Sequence, residues 1–263
     1  MTAISTAVNK LVVVGLGLIG SSLALAARQR GLAVEVIGVS RRSSTLDLAL
    51  QAGVIDRAAN SIAELASELS RGDLLVIGVP TLTVPEVLQE CKTYLDGAVT
   101  LTDVASVKGS VVTALVDCYG TLPEQFIPGH PIAGSEKSGV IAANADLFVD
   151  HRVILTPHEK SGAEHLQRVE SLWQGGGAIV STMSVADHDE ILAATSHLPH
   201  FLAFSLVDTL ANLRADREIF RYAAGGFRDF TRIAASDPVM WRDIALANRT
   251  AVLQVLDRLT ADF

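Results

Sequence analysis

Residues 10–31 read KLVVVGLGLIGSSLALAARQRG. The apolar run 11–15 predicts a buried strand, and the residues that follow it predict a helix. At the junction lies the pattern Gly15-x-Gly17-x-x-Gly20. In this context Gly15 permits a tight turn, Gly17 lets the backbone approach a pyrophosphate, and Gly20 lets the helix pack closely on the strand. The pattern indicates a dinucleotide-binding turn with the phosphates at the helix N-terminus, and a simple strand-to-helix turn is the alternative.

Strand and helix patterns alternate through the first part of the chain. Further strands are predicted at 34–40, 74–80, 98–104 and 151–157, and helices at 84–95 and 107–118. This alternation predicts an α/β fold, a Rossmann-type doubly wound parallel sheet with helices on both faces. Ligands of such sheets bind beyond the carboxyl ends of the strands, so the residues that follow each strand are the candidates for a site.

The end of the second predicted strand bears on the choice of cofactor. An NAD site usually has Asp or Glu here, bonded to a ribose hydroxyl, whereas this stretch reads GVSRRSS and has no carboxylate. A guanidinium such as that of Arg41 pairs well with a 2′-phosphate. We therefore expect NADP in preference to NAD, and two solvated surface arginines are the alternative reading. The expected cofactor contacts are Ser40, Arg41 and Arg42 at this strand end, together with Leu18 and Ile19 in the glycine turn after the first strand.

Other strand ends carry residues suited to chemistry. Pro80 and Thr81 end a strand where a nicotinamide ribose would lie, and Ser106 follows the strand after it. A helix cap is the alternative role for Ser106. His130 lies in PGHPIAGSEKSG, residues 128–139, whose prolines and glycines predict an ordered loop. The predicted fold brings Ser106 and His130 to the same rim as the cofactor.

From Ser184 the alternation stops, and we predict domains at 1–183 and 184–263. The second domain is expected to be helical, with a helix broken near Pro199, a short helix, a loop and a final helix, at 184–213, 216–224, 224–238 and 239–259. So few helical residues make a thin core, and we expect their surplus apolar faces to be buried in a homodimer.

The helical part contains polar residues that suit substrate binding. His197 is a candidate substrate contact, with a satisfied core histidine as the alternative. Arg228 and Arg232 flank Asp229 in a glycine-containing stretch. Such arginines suit bidentate binding of a carboxylate, and a surface ion pair with Asp229 is the alternative.

Composition narrows the range of partners. The net charge of -8 and pI of about 5.3 argue against nucleic acid or an anionic membrane as a partner. The apolar stretch 11–27 is interrupted by glycines and serines, so we expect no membrane segment. Cys91 and Cys118 match no disulfide framework, which favours the cytoplasm. We predict no metal site, because His188, His197 and His200 follow no ligand pattern.

Several motifs together resemble one family. They are VGLGLIGSSLA (14–24), DVASVK (103–108), GHPIAGSEKSG (129–139), ADHD (186–189), SHLPH (196–200) and GFRDFTRIAASDP (226–238). The chain resembles the prephenate/arogenate (cyclohexadienyl) dehydrogenase family of tyrosine biosynthesis. The resemblance implies a Rossmann-type cofactor domain, an all-helical dimerisation domain and a small-molecule substrate.

The resemblance also implies roles for residues. His130 matches the catalytic histidine and Ser106 its assisting serine, and the expected substrate-binding residues are His197, Arg232, Trp241, Glu136 and Asp229. The implied reaction is oxidative decarboxylation of prephenate or arogenate with hydride transfer to the nicotinamide. A neutral His130 imidazole would accept the proton or hydrogen bond of the substrate hydroxyl, with Ser106 orienting the pair.

Two other readings stay open. One is a β-hydroxyacid dehydrogenase. Such enzymes typically rely on a catalytic lysine in the helical half, and residues 184–263 contain no lysine, which argues against this reading. A protein that holds NADP(H) as a sensor without chemistry is the other reading. The sequence leaves open which of the two substrates is preferred.

Overall fold

The computed structural model describes residues 8–135, 137–213, 221 and 224–261. The chain divides into two compact units, Met1–His188 and Asp189–Phe263. Both β-sheets lie in the first unit, and the described residues of the second unit form helices joined by short turns. The domain boundary at 183/184 stays a prediction.

The main sheet consists of six parallel strands. They are β1 (Val8–Val14), β2 (Ala33–Val39), β3 (Arg57–Ala59), β4 (Leu74–Ile77), β5 (Thr100–Asp103) and β6 (Phe126–Ile127). Their spatial order is β3-β2-β1-β4-β5-β6. The chain adds strands outward on one side of β1 as far as β3 and then on the other side from β4 to β6. In doubly wound sheets, ligands bind at this switch point, beyond the carboxyl ends of the strands. The predicted Rossmann-type sheet is confirmed.

The pleat of β1 explains why its sequence is continuously apolar. Leu11 and Val13 pack into the core on one face of the sheet, whereas Val12 and Val14 pack into the core on the other. Alternate side chains of a strand point to opposite faces, so a strand covered on both sides must be apolar at every position.

Helices cover both faces of this sheet. The helices of the first unit are α1 (Leu18–Gln29), α2 (Ser43–Gln51), α3 (Val84–Tyr94), α4 (Lys108–Tyr119) and α5 (Ala163–Gly175). Helix α1 packs on one face through Leu23 and Ala27. Helices α3 and α4 pack on the other face through Leu88 and Leu115. The sheet is thus the middle layer of three, as the alternation of strand and helix predicts.

A second, smaller sheet differs from the predicted arrangement. It contains β7 (Gly129–Pro131), β8 (Arg152–Leu155) and β9 (Ile179–Thr182), in the order β7-β8-β9. Strand β7 runs antiparallel to β8, and β8 runs parallel to β9. The prediction that 151–157 adds a strand to the parallel sheet was therefore wrong. Pro128 follows β6 and has no N–H for the ladder, so the chain leaves the main sheet there.

The second helical region begins near the end of the first unit. Its elements are α6 (Val185–Leu192), a π-helical turn (Ala193–His197), α7 (Leu198–Ala211), α8 (Gly225–Thr231), a 3-10 turn (Arg232–Ala235), α9 (Pro238–Ala247) and α10 (Arg249–Ala261). The break or kink predicted near Pro199 takes the form of a π-helical turn that ends just before α7, whose first turn contains this proline, and the backbone stays helical through Leu198. The helix predicted at 216–224 lies mostly outside the described residues.

Two predictions for this region were wrong. Residues 224–238 are mainly helical rather than a loop. The two glycines occupy only the first turn of α8, where helix N–H groups need no intrahelical partner, and no breaker follows before Pro238. The helix predicted at 239–259 is two helices that meet at Asn248, whose side chain bonds the Asp189 carbonyl and the His197 ring.

A buried ion pair joins three elements of the first unit. Asp103 ends β5 and Lys108 begins α4, and their charged groups are in contact with both side chains fully buried. The Lys108 ammonium also donates to the Gly129 carbonyl at 2.6 Å, and the Gly129 N–H donates to the Asp103 carboxylate at 3.2 Å. The Ala105 N–H donates to the same carboxylate at 2.9 Å. The pair therefore fixes the start of β7 against the end of β5.

We expect Lys108→Met to lower the free energy of unfolding by about 3 kcal/mol, because it leaves the Asp103 carboxylate buried without its counter-ion. Urea unfolding followed by circular dichroism measures this change. Lys92→Met is the matched control, since Lys92 is an exposed lysine on α3, and we expect a change within about 0.5 kcal/mol. Equal stability of the two variants would contradict the role of the ion pair.

Candidate active site

The turn between β1 and α1 has the geometry of a phosphate-binding turn. Gly15 has a φ of +95°, and a Cβ there would lie 2.7 Å from the Gly78 carbonyl oxygen. A Cβ on Gly20 would collide with the Gly15 carbonyl oxygen. A Cβ on Gly17 would meet no atom within 4 Å, and this residue is exposed. Gly15 and Gly20 are thus required by close packing in the protein itself, whereas the space beside Gly17 is open to a ligand.

The N-terminus of α1 faces this open space. Gly17 is the N-cap residue and supplies no side-chain hydrogen bond to the helix. Leu18 and Ile19 follow in the first turn and are partly exposed. Backbone N–H groups and the helix dipole at such an uncapped start attract an anion. The residues present therefore fit the pyrophosphate of a dinucleotide.

The segment after β2 is polar and exposed. Arg41 lies 3.7 Å from the Glu86 carboxylate, in an ion pair that is open to solvent. Arg42 is the N-cap residue of α2, and its backbone N–H donates to the Ser40 hydroxyl at 3.2 Å. Because a pair as long and exposed as that between Arg41 and Glu86 is weak, Arg41 is available to a ligand phosphate.

The residues after β4 begin a helical turn. Pro80 precedes a 3-10 turn at Thr81–Thr83, and the Thr83 N–H donates to the Pro80 carbonyl at 2.8 Å. Thr81 is partly exposed. Both Pro80 and Thr81 therefore follow the carboxyl end of a strand next to β1, as the sequence indicated.

Ser106 lies between β5 and α4 and is partly buried. The N-cap residue of α4 is Val107, so the alternative reading of Ser106 as the helix cap does not fit the structure. Ser106 stands two residues before Lys108, whose ion pair with Asp103 fixes this segment.

His130 lies in β7 rather than in a loop, so the predicted loop was wrong for Gly129–Pro131. It pairs with Ile154 of β8, and its side chain is buried. Strand β7 is at the edge of its sheet, where prolines are tolerated. The Nδ1 atom of His130 lies 3.0 Å from Nε2 of His188, a residue of α6 that the sequence did not single out as functional. His130 is thus held on its backbone by β8 and on its ring by α6.

His197 occupies the second unit and is almost fully buried. The side-chain amide of Asn248 donates to the Asp189 carbonyl at 2.8 Å and lies 3.1 Å from Nδ1 of His197. Because the carbonyl needs a donor, the nitrogen of this amide must face it, and its second hydrogen points to His197. Nδ1 of His197 is then the acceptor, and a neutral His197 carries its proton on Nε2.

Trp241 belongs to an aromatic cluster of the second unit. Its ring stacks on His200 with centroids 3.6 Å apart and meets His197 and Phe201 edge-on. Burial lowers the pKa of the His200 imidazole below its ordinary value, so this ring stays neutral against the indole. The Trp241 indole N–H is buried and has no hydrogen-bond partner among the described residues.

The remaining candidates lie in the last turn of α8, directly after it, or outside the described residues. Arg228, Asp229 and Arg232 are exposed. Among residues 224–261 no ion pair joins Asp229 to either arginine, so the alternative reading of a surface pair does not fit this part of the chain. Glu136 lies outside the described residues.

The candidates fall into two sets. Those in the first unit follow strands of the doubly wound sheet or lie in β7, and those in the second unit lie on its helices and turns, where Trp241 is the candidate whose ring meets His197. Sequence reasoning assigned no role to Asp103, Lys108, His188 or Asn248. The DVASVK and ADHD motifs carried a signal for three of these residues. Asn248 lies inside a helical pattern and carried none.

Two features are absent from the described residues. No helix among them is long and apolar enough to cross a membrane. Within the same residues, no group of three or more His, Cys, Asp or Glu side chains has an arrangement that could hold a metal ion.

Comparison with known proteins relates both parts of the chain to one enzyme family. Residues 23–182 match the family model of the prephenate dehydrogenase nucleotide-binding domain, and residues 184–263 match that of the prephenate dehydrogenase dimerization domain. The cyclohexadienyl dehydrogenase of Zymomonas mobilis is 37% identical over 260 residues, which cover 98% of this chain and 87% of that protein.

Solved structures give the same picture. The prephenate dehydrogenase of A. aeolicus, in complex with hydroxyphenyl propionate and NAD+, superposes with a TM-score of 0.89 and 36% identity, over 97% of this chain and 87% of that one. The arogenate dehydrogenase of Synechocystis gives a TM-score of 0.80 and 31% identity, over 96% and 88% of the two chains. The resemblance stated from the motifs is confirmed: the chain belongs to the prephenate dehydrogenase family.

Proposed function

We propose that this protein oxidatively decarboxylates prephenate, arogenate or both, with hydride transfer to NADP, in tyrosine biosynthesis. The observation that carries the proposal is the buried His130 imidazole, held by β8 and His188 in the same unit as a dinucleotide-binding turn. Family membership supports a nicotinamide-dependent dehydrogenase.

The bound nicotinamide would supply the acceptor for a hydride. The substrate ring carries a carboxylate and, across the ring, a hydroxyl on the carbon that loses the hydride. As this C–H bond breaks, the C–CO₂ bond electrons enter the ring, CO₂ leaves and the ring becomes aromatic. His130 would accept the hydrogen bond of the hydroxyl, or its proton, as positive charge develops on that carbon. Ser106 would orient the hydroxyl and the imidazole.

Residues of the second unit would bind the rest of the substrate. His197 presents an Nε2–H donor, because Asn248 occupies its Nδ1. Arg232 is exposed and suits a carboxylate through two parallel hydrogen bonds. Trp241 contributes a buried N–H without a partner among the described residues, which a substrate oxygen would satisfy. Asp229 and Glu136 are proposed as the acidic members of an ionic network at the mouth of the site.

The assembly and location follow from the same assignment. We propose a homodimer formed through residues 184–263, because this segment matches a dimerization domain. We also keep the cytoplasm as the expected location, since Cys91 and Cys118 are both free thiols.

The proposed function is tested by measuring reduced cofactor with prephenate or arogenate, each with NADP or NAD. Turnover of either substrate, faster with NADP, is expected. Turnover that favours NAD would reject the cofactor preference and keep the reaction. Folded protein that binds NADP tightly and turns over neither substrate would instead support a cofactor-binding sensor.

We expect His130→Asn to lower kcat about 100-fold or more, because the hydroxyl then lacks its acceptor, while NADP affinity is unchanged. Steady-state kinetics and cofactor titration measure the two quantities. His151→Asn is the matched control, since His151 is an exposed histidine of the same unit, and it should leave both unchanged. Unchanged kcat in the His130 variant would remove this residue from the mechanism.

Replacing Arg41 and Arg42 together by Ala should raise the KM for NADP roughly tenfold or more, because charged hydrogen bonds to the 2′-phosphate are lost. The KM for NAD should change little. Arg71→Ala, at an exposed arginine paired with Glu164, serves as the control and should affect neither cofactor. An equal rise for both cofactors would show that the arginines do not read the 2′-phosphate.

Gly17→Ala should keep the melting temperature of the free protein, because the added methyl group enters open space. It should weaken NADP binding roughly tenfold, since the methyl group displaces the pyrophosphate. Calorimetry of unfolding and of NADP binding checks both expectations. Gly97→Ala, where a Cβ also has room, is the control. NADP affinity equal to that of the unsubstituted protein would refute the contact at Gly17.

A further inference from the structure

We propose that His188 is a positioning residue that sets the tautomer of His130, so that Nε2 of His130 carries the lone pair that faces the substrate hydroxyl. This inference rests on the proposed function, in which His130 accepts the hydroxyl proton or hydrogen bond. Nothing in the sequence motifs alone separates this role of His188 from that of a core residue.

The geometry identifies which nitrogen is engaged. Nδ1 of His130 and Nε2 of His188 are 3.0 Å apart, within hydrogen-bond distance. The two rings meet edge-on, with centroids 5.2 Å apart and planes 62° apart, rather than stacking. An edge-on approach suits an N–H of one ring that points at a lone pair of the other. With Nδ1 facing His188, Nε2 is the other ring nitrogen, and the proposed reaction gives it the role of acceptor toward the substrate hydroxyl.

Counting protons leaves two arrangements for a neutral pair. If His188 donated from Nε2, a neutral His130 would carry its own proton on Nε2 and could not accept one there. If His130 donates from Nδ1, its Nε2 holds a lone pair and can act as the acceptor. The proposed reaction requires the second arrangement. His188 must then present an unprotonated Nε2 and carry its proton on Nδ1.

The same hydrogen bond assists the developing charge. As His130 takes up the hydroxyl proton it becomes an imidazolium, and its Nδ1–H bond to His188 becomes charge-assisted and stronger. A carboxylate plays the orienting part in serine protease triads. A neutral imidazole in that place orients the ring without adding negative charge beside a substrate that is itself an anion.

Both histidines belong to regular secondary structure. His130 is paired through β7 with Ile154 of β8. His188 lies in the first turns of α6, and its N–H donates to the Ser184 carbonyl at 3.0 Å. The Ser184 hydroxyl accepts from the Asp187 N–H at 3.1 Å and donates to the Asp187 carboxylate at 2.7 Å, which fixes the start of this helix. A fixed backbone of this kind suits a residue that orients the ring of another.

The test compares His188→Leu with His188→Gln, because a glutamine amide reaches the position of the histidine Nε2 and its oxygen can accept from His130. We expect the leucine variant to lower kcat about 10- to 100-fold, the range seen when a partner that orients a functional histidine is lost. The KM values for substrate and NADP should stay within a factor of about three. The glutamine variant should recover most of the loss. His151→Leu, at an exposed histidine, is the control.

A second measurement separates orientation of His130 from a structural role. His188→Leu should have no further effect on kcat in the His130→Asn background, because its influence acts through that ring. An equal loss in both backgrounds would overturn the inference, as would unchanged kcat in the single variant. If the unsubstituted protein turned over neither prephenate nor arogenate, the proposed function would fail and this role with it. If the unsubstituted protein is active and both His188 variants match it, only this inference fails.

Discussion

The buried contact between Asp103 and Lys108 is the constraint on which the candidate site residues of the first unit depend. It lies at the end of β5, it begins α4, and it bonds both backbone groups of Gly129. A charge pair that is fully buried is stable only while both members are present, because either one alone would be desolvated without compensation. The backbone before His130 is therefore set by the electrostatics of the main sheet, although His130 itself belongs to the second sheet.

His130 of the first unit and His197 of the second are both buried, and their rings are held in a similar way. A neighbouring side chain occupies Nδ1 of each ring: His188 in the case of His130, and Asn248 in the case of His197. The partner differs in what it offers. An amide nitrogen forces His197 to accept at Nδ1 and to donate at Nε2, whereas an imidazole allows His130 to donate at Nδ1 and accept at Nε2. Nε2 of a neutral His197 is thus a donor, whereas Nε2 of a His130 that donates from Nδ1 is a proton acceptor.

Sequence reasoning predicted what depends on local pattern. Strand β1 is buried on both faces and so has a continuous apolar run, and the turn after it has glycine at two positions, Gly15 and Gly20, where close packing excludes a Cβ. The structure extends β1 back to Val8, because Val8 and the polar Lys10 pair with β2 through their backbones regardless of side chain. What could not be predicted depends on distant contacts. The rings of His130 and His188 meet across 58 positions of sequence, and no periodicity encodes such a pair.

The tautomer of His130 is the property that this account predicts most directly, and nitrogen-15 NMR of histidine-labelled protein measures it. We expect Nδ1 of neutral His130 to show a protonated, pyrrole-type shift and Nε2 an unprotonated, pyridine-type shift, with assignment from the His130→Asn spectrum. In His188→Leu this preference should weaken or reverse. A proton on Nε2 of His130 in the unsubstituted protein would contradict the account, because that nitrogen could then accept nothing from the substrate.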